Sequence, residues 1–227
     1  MARTRTLTLL RDEVRQLVDI ESATNRVTDA ELTRHINQGI AWVYDLLIAA
    51  RGRSYYRNAT PQSITTTAST VTYPLESDFY QLIGVRIDDG PSLEKFAPIA
   101  EAELALSSAS ASYPLFYDLQ GAYIALRPYH SAGYTVIVDY VPYSAELSAD
   151  GDTFDGINGW EDGVVLFAGR KCALKDETFE RADRIAQDMA QFERRVNGLA
   201  SKRYRFRAER IQDARGTRGF RRYWPYP

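Results

Sequence analysis

The chain has 227 residues, enough for one large domain or a domain with a sizeable insertion, and its 44% hydrophobic share is ample for a packed core. One cysteine, Cys172, excludes a disulfide framework and a cysteine metal cluster, and no window approaches the roughly 20 apolar residues a membrane span needs. The net charge of −2 hides a split: from Ser201 on, nine of the 28 Lys and Arg residues face only Glu209 and Asp213 of the 30 acidic ones, so an acidic body carries a basic end.

The apolar run Leu7 to Leu10 is interrupted and stops at Arg11, too short for a signal peptide. The sequence therefore predicts a soluble chain made in a reducing compartment. Residues 7 to 20 predict a short amphipathic helix with Leu10, Val14, Leu17 and Val18 on one side. After a polar break, Thr28-Asp29-Ala30-Glu31 fits a capping box that opens a second helix. Its buried stripe is Leu32, Ile36, Ile40, Val43 and Leu47, and Gly52 is its stop.

From about Ser54 the period changes. Ile64 to Thr67, Thr70 to Tyr73, Leu82 to Asp88, Leu115 to Leu119, Ala122 to Arg127 and Tyr134 to Tyr140 read as strands bounded by Pro and Gly. Gln120-Gly121 is the expected hairpin turn, and Ile99 to Leu106 is a short helix within this region. Fifteen Tyr against nine Phe fits two readings, a Tyr-rich sheet or surfaces that meet other proteins.

The loop from Tyr143 to Gly159 holds Asp150, Asp152, Asp155, Asn158 and Glu161, which invite a calcium-loop reading. The spacing fails: the fifth position is Phe154 and the sixth, which needs Gly, is Asp155. The local reading is that Asn158 caps the next helix with Glu161 at its third position. Two helices then follow, broken at Asp176-Glu177-Thr178. In the second, Phe179, Ala182, Ile185, Met189, Phe192, Val196 and Leu199 form the apolar stripe, and Gln187, Asp188, Gln191, Glu193, Arg194 and Arg195 form most of the wet side. Gly163 and Gly169 lower the helix propensity of the first. Cys172, between apolar neighbours, reads as a small buried thiol.

Chemistry finds little purchase. His35 lies on the polar side of the second helix and His130 in a turn, and neither has a motif partner. There is no Gly-rich phosphate loop and no nucleophile elbow. Asp88-Asp89 reads as a solvated turn. No enzymatic activity, cofactor or metal is expected. An enzyme reading, such as a hydrolase in the β region, requires a polar pocket converging on His130 or Asp139.

The segment from Ala214 has no helix period, two glycines and two prolines, yet four arginines and four aromatics in 13 residues. Such a segment cannot pack on itself but carries the residue types that dominate binding when docked. Arg215, Arg218, Phe220, Arg221, Arg222, Tyr223, Trp224, Pro225 and Tyr226 are the expected docking residues. Nucleic acid is the second reading of this tail, by phosphate contacts and stacking, although the acidic body opposes it.

Two stretches carry a resemblance. Val27-Thr28-Asp29-Ala30-Glu31-Leu32-Thr33-Arg34-His35-Ile36-Asn37-Gln38-Gly39-Ile40-Ala41 is one. Phe154-Asp155-Gly156-Ile157-Asn158-Gly159-Trp160-Glu161-Asp162-Gly163-Val164-Val165, running into a helix that ends Lys175-Asp176-Glu177, is the other and the more specific. With them the chain resembles, over nearly its whole length, the head-to-tail adaptor (neck, or connector) proteins of tailed bacteriophages, including the tail-tubular-A-like group. The resemblance implies a virion neck protein. It would form a ring of usually twelve copies beneath the portal protein, with the tail or nozzle protein below and genome DNA passing through the lumen without specific binding. It also implies that the C-terminal segment reaches the portal.

The order helices, strands, helices predicts an α+β fold: an antiparallel helical bundle core with an inserted small antiparallel β-sandwich or barrel and an extended C-terminal tail. Residues 1–53 supply the N-terminal helices and 54–142 the inserted β domain. Residues 143–212 supply a loop and the C-terminal helices, and 213–227 the docking tail. The alternative function is a nucleic-acid-binding phage accessory protein acting through that tail.

Overall fold

A computed structural model describes residues 4–19, 26–68, 70–88, 97–98, 110–111, 116–127, 129–130, 133–155 and 159–204. The chain begins with strand β1 (Thr4–Thr6) and helix α1 (Leu7–Val18). The Thr6 hydroxyl accepts from the Leu9 N–H and caps α1, and Asp19 closes it in the left-handed region at φ 57°. Helix α2 (Asp29–Arg51) opens on the expected capping box. Thr28 N–H donates to Glu31 Oε2 at 3.0 Å, and Glu31 N–H donates to Thr28 Oγ1 at 3.3 Å. Gly52, at φ 85°, ends it and donates to the Ile48 carbonyl. A 3-10 turn, Arg53–Tyr56, leads into the β region.

There the strands are β2 (Gln62–Thr65), β3 (Thr72–Pro74), β4 (Phe79–Ile87), β5 (Ala97–Pro98), β6 (Ser110–Ala111), β7 (Phe116–Gln120), β8 (Tyr123–Arg127), β9 (Tyr129–His130) and β10 (Thr135–Pro142). One sheet has the order β2-β10-β4 and is antiparallel throughout; β10 lies centrally and is buried along most of its length. A second has the order β3-β8-β7-β5. Ile64, Leu82, Val85, Ile87, Val136 and Val138 of the first sheet share a core with Tyr73, Ile124 and Leu126 of the second.

Three expectations change here. The sheets form no closed barrel among the described residues. Pairing is not wholly antiparallel, since β5 runs parallel to β7 and β6 to β9. The hairpin turn sits one residue later, at Gly121-Ala122, because Gln120 pairs with Tyr123 and Gly121 takes φ 61°. The helix expected over Ile99 to Leu106 lies outside the described residues.

After β10 the chain returns to the helices. Strand β11 (Thr153–Asp155), which periodicity cannot reveal in three residues, pairs antiparallel with β1 and zips the start of the chain to this segment. Helix α3 (Glu161–Lys175) begins directly after Trp160, so Glu161 is its first residue rather than its third. Trp160 occupies the cap position, with no side-chain cap bond, and Asn158 lies outside the described residues. Thr178 breaks α3 from helix α4 (Phe179–Tyr204) by turning its N–H and hydroxyl back onto the Ala173 carbonyl. Ala182, Ile185, Met189, Phe192 and Val196 are buried as the stripe requires. Phe179 is 62% exposed and does not belong to it: it sits on the first turn, beyond the end of the core.

The first and last helices share one core, from Leu7 and Leu10 through Ile36, Val43 and Leu47 to Trp160, Val164 and Phe192. Glycine sets how closely they approach. A Cβ on Gly163 would lie 2.5 Å from the Phe192 ring and 2.9 Å from Val43 Cγ2, so α2, α3 and α4 meet at a point that admits no methyl. A Cβ on Gly39 would lie 3.0 Å from the Val164 carbonyl oxygen. The two glycines thus trade about 1 kcal/mol of helix propensity each for contact.

Candidate assembly interface

Where the helices meet the sheets, the seam is made of tyrosines and carboxylates. Tyr44, on α2, donates its hydroxyl to the Pro142 carbonyl at 2.6 Å, and its ring stacks on Tyr56 at 4.3 Å. Burial, with nearby negative charge, pushes its hydroxyl up to about 12. Asp45 accepts from the Tyr80 hydroxyl, and that bond, ahead of burial, pushes Tyr80 up to about 12. Both tyrosines therefore stay neutral donors in ordinary conditions. Tyr80 in turn meets the Tyr143 ring at 5.1 Å. Asp78 accepts from Tyr140 at 2.8 Å, and Asn58 donates to the same hydroxyl at 2.8 Å.

Inside the first sheet, Asp139 is nearly buried between two cations, Arg57 at 2.6 Å and Arg86 at 3.1 Å. A buried carboxylate held by two guanidiniums fixes geometry more than it adds stability. Asp139 is thus committed to joining the turn after α2 to β4 and β10. Backbone places His130 in β9.

Beyond the seam, the segment 143–148 runs along α2 and is pinned there by one side chain. Asn37 donates to the Leu147 carbonyl and accepts from its N–H, both at 3.0 Å, as a strand partner would. Between segment and helix lies an open groove of about 1400 Å³, floored by Ala30, Asn37, Gln38 and Ala41 of α2. The acidic loop beside it is spent locally. Asp150 pairs with Arg11 at 2.7 Å, and Asp152 accepts from the N–H groups of Ser148 and Ala149, which holds its carboxyl below the usual range.

The remaining titratable groups are structural in character. Burial pulls His35 below its ordinary value, and its ring lies 3.4 Å from Gln38. Burial likewise pushes the Cys172 thiol up to about 11, the inert buried thiol expected from its neighbours. Glu161, buried at the start of α3, lies 3.7 Å from Arg5, whose other nitrogen pairs with Glu13 at 3.2 Å. A carboxylate in the first turn of a helix is also favoured by the helix dipole. No group of three metal-ligating side chains comes together among the described residues, and none of their helices is long and apolar enough to cross a membrane.

The nine expected docking residues, Arg215 through Tyr226, lie outside the described residues. What residue patterns missed is the seam: Tyr44, Asp45, Asp78, Tyr80 and Tyr143 come from three separate stretches. The one signal for it was the excess of tyrosine over phenylalanine.

The fold is thus an α+β body whose helices and sheets are joined by tyrosines and carboxylates, with Tyr80 and Tyr143 exposed at the junction. The chain belongs to the SU10 adaptor protein family, whose model matches residues 5–218. It is a phage structural adaptor, in agreement with the resemblance carried by the two stretches beginning at Val27 and Phe154. The match takes in Arg215 and Arg218 and stops before Phe220. No curated protein matches the chain.

Proposed function

We propose that this protein is a head-to-tail adaptor: a ring, with twelve copies the expected number, beneath the portal in the virion neck. It would join capsid to tail and pass the genome through its lumen. The observation that carries this reading is the adaptor-family match over residues 5–218. In this reading the helices act as an antiparallel bundle that packs copy against copy. The sheets act as a small inserted sandwich that meets the tail or nozzle protein. The excess of carboxylates in the first 200 residues keeps the wall from holding DNA, since like charges weaken binding and let the duplex slide. The role is structural and non-catalytic. The C-terminal segment, with Arg215, Arg218, Phe220, Arg221, Arg222, Tyr223, Trp224, Pro225 and Tyr226, orders against the portal.

The test mixes the portal ring of the same genome with the full chain and with a chain ending at Asp213, and images both by electron microscopy. A second ring beneath the portal with the full chain only is the expected result. Stacking by both chains keeps the adaptor and removes the tail as its anchor. No stacking by either, with DNA binding that falls steeply with salt, moves the function to a nucleic-acid-binding accessory protein, which the run of nine basic residues from Ser201 favours.

A further inference from the structure

The groove beside α2 ends at the tyrosine seam, and that end is acidic. Asp78 and Glu146 line it, Asp45 is joined to it through the Tyr80 hydroxyl and the Tyr80–Tyr143 ring contact, and none of the three makes an ion pair among the described residues. Several carboxylates elsewhere are matched: Asp29 by Arg15, Glu31 by Lys175, Asp150 by Arg11 and Asp162 by Arg195. Tyr143 stands over the acidic end at 60% exposure, against Tyr80 at 36%. Of the groove's own cations, Arg11 is taken by Asp150 and Thr33, and Arg34 lies roughly 16 Å along α2 from Asp45.

An open trough with exposed tyrosine rings and unmatched carboxylates fits a peptide of arginines and aromatics. Guanidiniums pair with carboxylates and stack on tyrosine faces, and aromatic rings pack on both. One stretch of this chain has that composition: residues 214–227. It is also within reach. Helix α4 passes α2 where Phe192 meets Trp42 at 5.9 Å, and Tyr204 lies roughly 18 Å further along the helix axis. The nine residues 205–213 span roughly 30 Å when extended. A tether of that length gives an effective concentration on the order of millimolar, so even weak contacts keep the segment docked.

We propose that in the free subunit the segment 214–227 lies in this groove of its own chain, with its arginines against Glu146, Asp78 and Asp45 and its aromatics on Tyr143 and Tyr80. The docking stands on the groove alone. Its consequence, that the portal must displace the segment and that free subunits therefore hold their anchor back, rests on the adaptor reading.

The test is limited chymotrypsin digestion of the full chain without portal, followed by mass spectrometry at Phe220 and Tyr223, whose next residues are not proline. The expected result is tail cleavage about tenfold slower than in Glu146→Lys or in half-molar salt, given the electrostatic, locally opening contact. Arg221→Glu/Arg222→Glu, which leaves the body untouched, is expected to lose the same protection. Combining it with Glu146→Lys is expected to restore it. Tail cleavage as fast in the native chain as in these variants, at low and high salt, overturns the docking. The portal reading then still stands, because stacking beneath the portal is measured separately.

Discussion

The helical core and the β region are held in different ways. In the helices, large apolar side chains lie fully buried against one another, and Gly163 removes even a methyl from the crossing of α2, α3 and α4. In the β region nine of the described residues form a buried apolar core, and orientation is set by polar contacts: Asp139 between two arginines, and Tyr44, Tyr80 and Tyr140 reaching carbonyl and carboxylate partners. Apolar packing scales with area and is directionless, whereas hydrogen bonds are weak in net terms but fix direction. The helices thus supply a stiff frame, and the seam sets the angle at which the sheets are presented.

The sharpest break of that contrast is Trp160→Ala. Trp160 is buried against Phe192 and lies under Arg51 and Arg195, so its loss is expected to cost about 3–5 kcal/mol. The urea midpoint of the helical far-UV signal should fall, and that of the near-UV tyrosine signal should fall less. Equal falls would mean that both regions unfold as one unit. Asp139→Asn probes the other side. Arg57 is half exposed and Arg86 about a quarter, so the cost is expected to be about 1–2 kcal/mol after solvent screening, carried by the tyrosine signal. A shift in the helical midpoint of the same size would show that the seam supports the frame as well.

The smallest effect is electrostatic and belongs to the helices. The Lys175 ammonium, then the Thr28 N–H, hold Glu31 at about 2 against an ordinary 4.5. A carboxyl depressed on folding contributes stability that is present above 4.5 and lost as pH falls through about 2. Between those limits the native chain should lose stability more steeply than Glu31→Gln. Parallel acid curves for the two would remove the Lys175 pair as a stabilising contact.

Much of the frame was legible from residue order. The capping box at Thr28, the stop at Gly52, the break at Thr178 and the buried positions of α2 and α4 all follow from local rules of capping and period. Six strand segments were placed to within a few residues by their β-branched and aromatic runs. Phe179 failed because a period continues past the point where a core ends. Strand β11 failed because a three-residue strand exists only through its partner β1.

The sequence by itself determined the helices α1 to α4, six of the strands, the two apolar stripes, the inert buried thiol at Cys172 and, through two stretches, the adaptor family. These are local properties, set by spacing and side-chain type along the chain. Only the tertiary structure decided that Gly163 is a contact point, that Asp139 lies between Arg57 and Arg86, and that Tyr44, Tyr80 and Tyr143 form one seam at the end of a groove. Those facts join residues tens of positions apart, and no periodicity encodes which of fifteen tyrosines will meet.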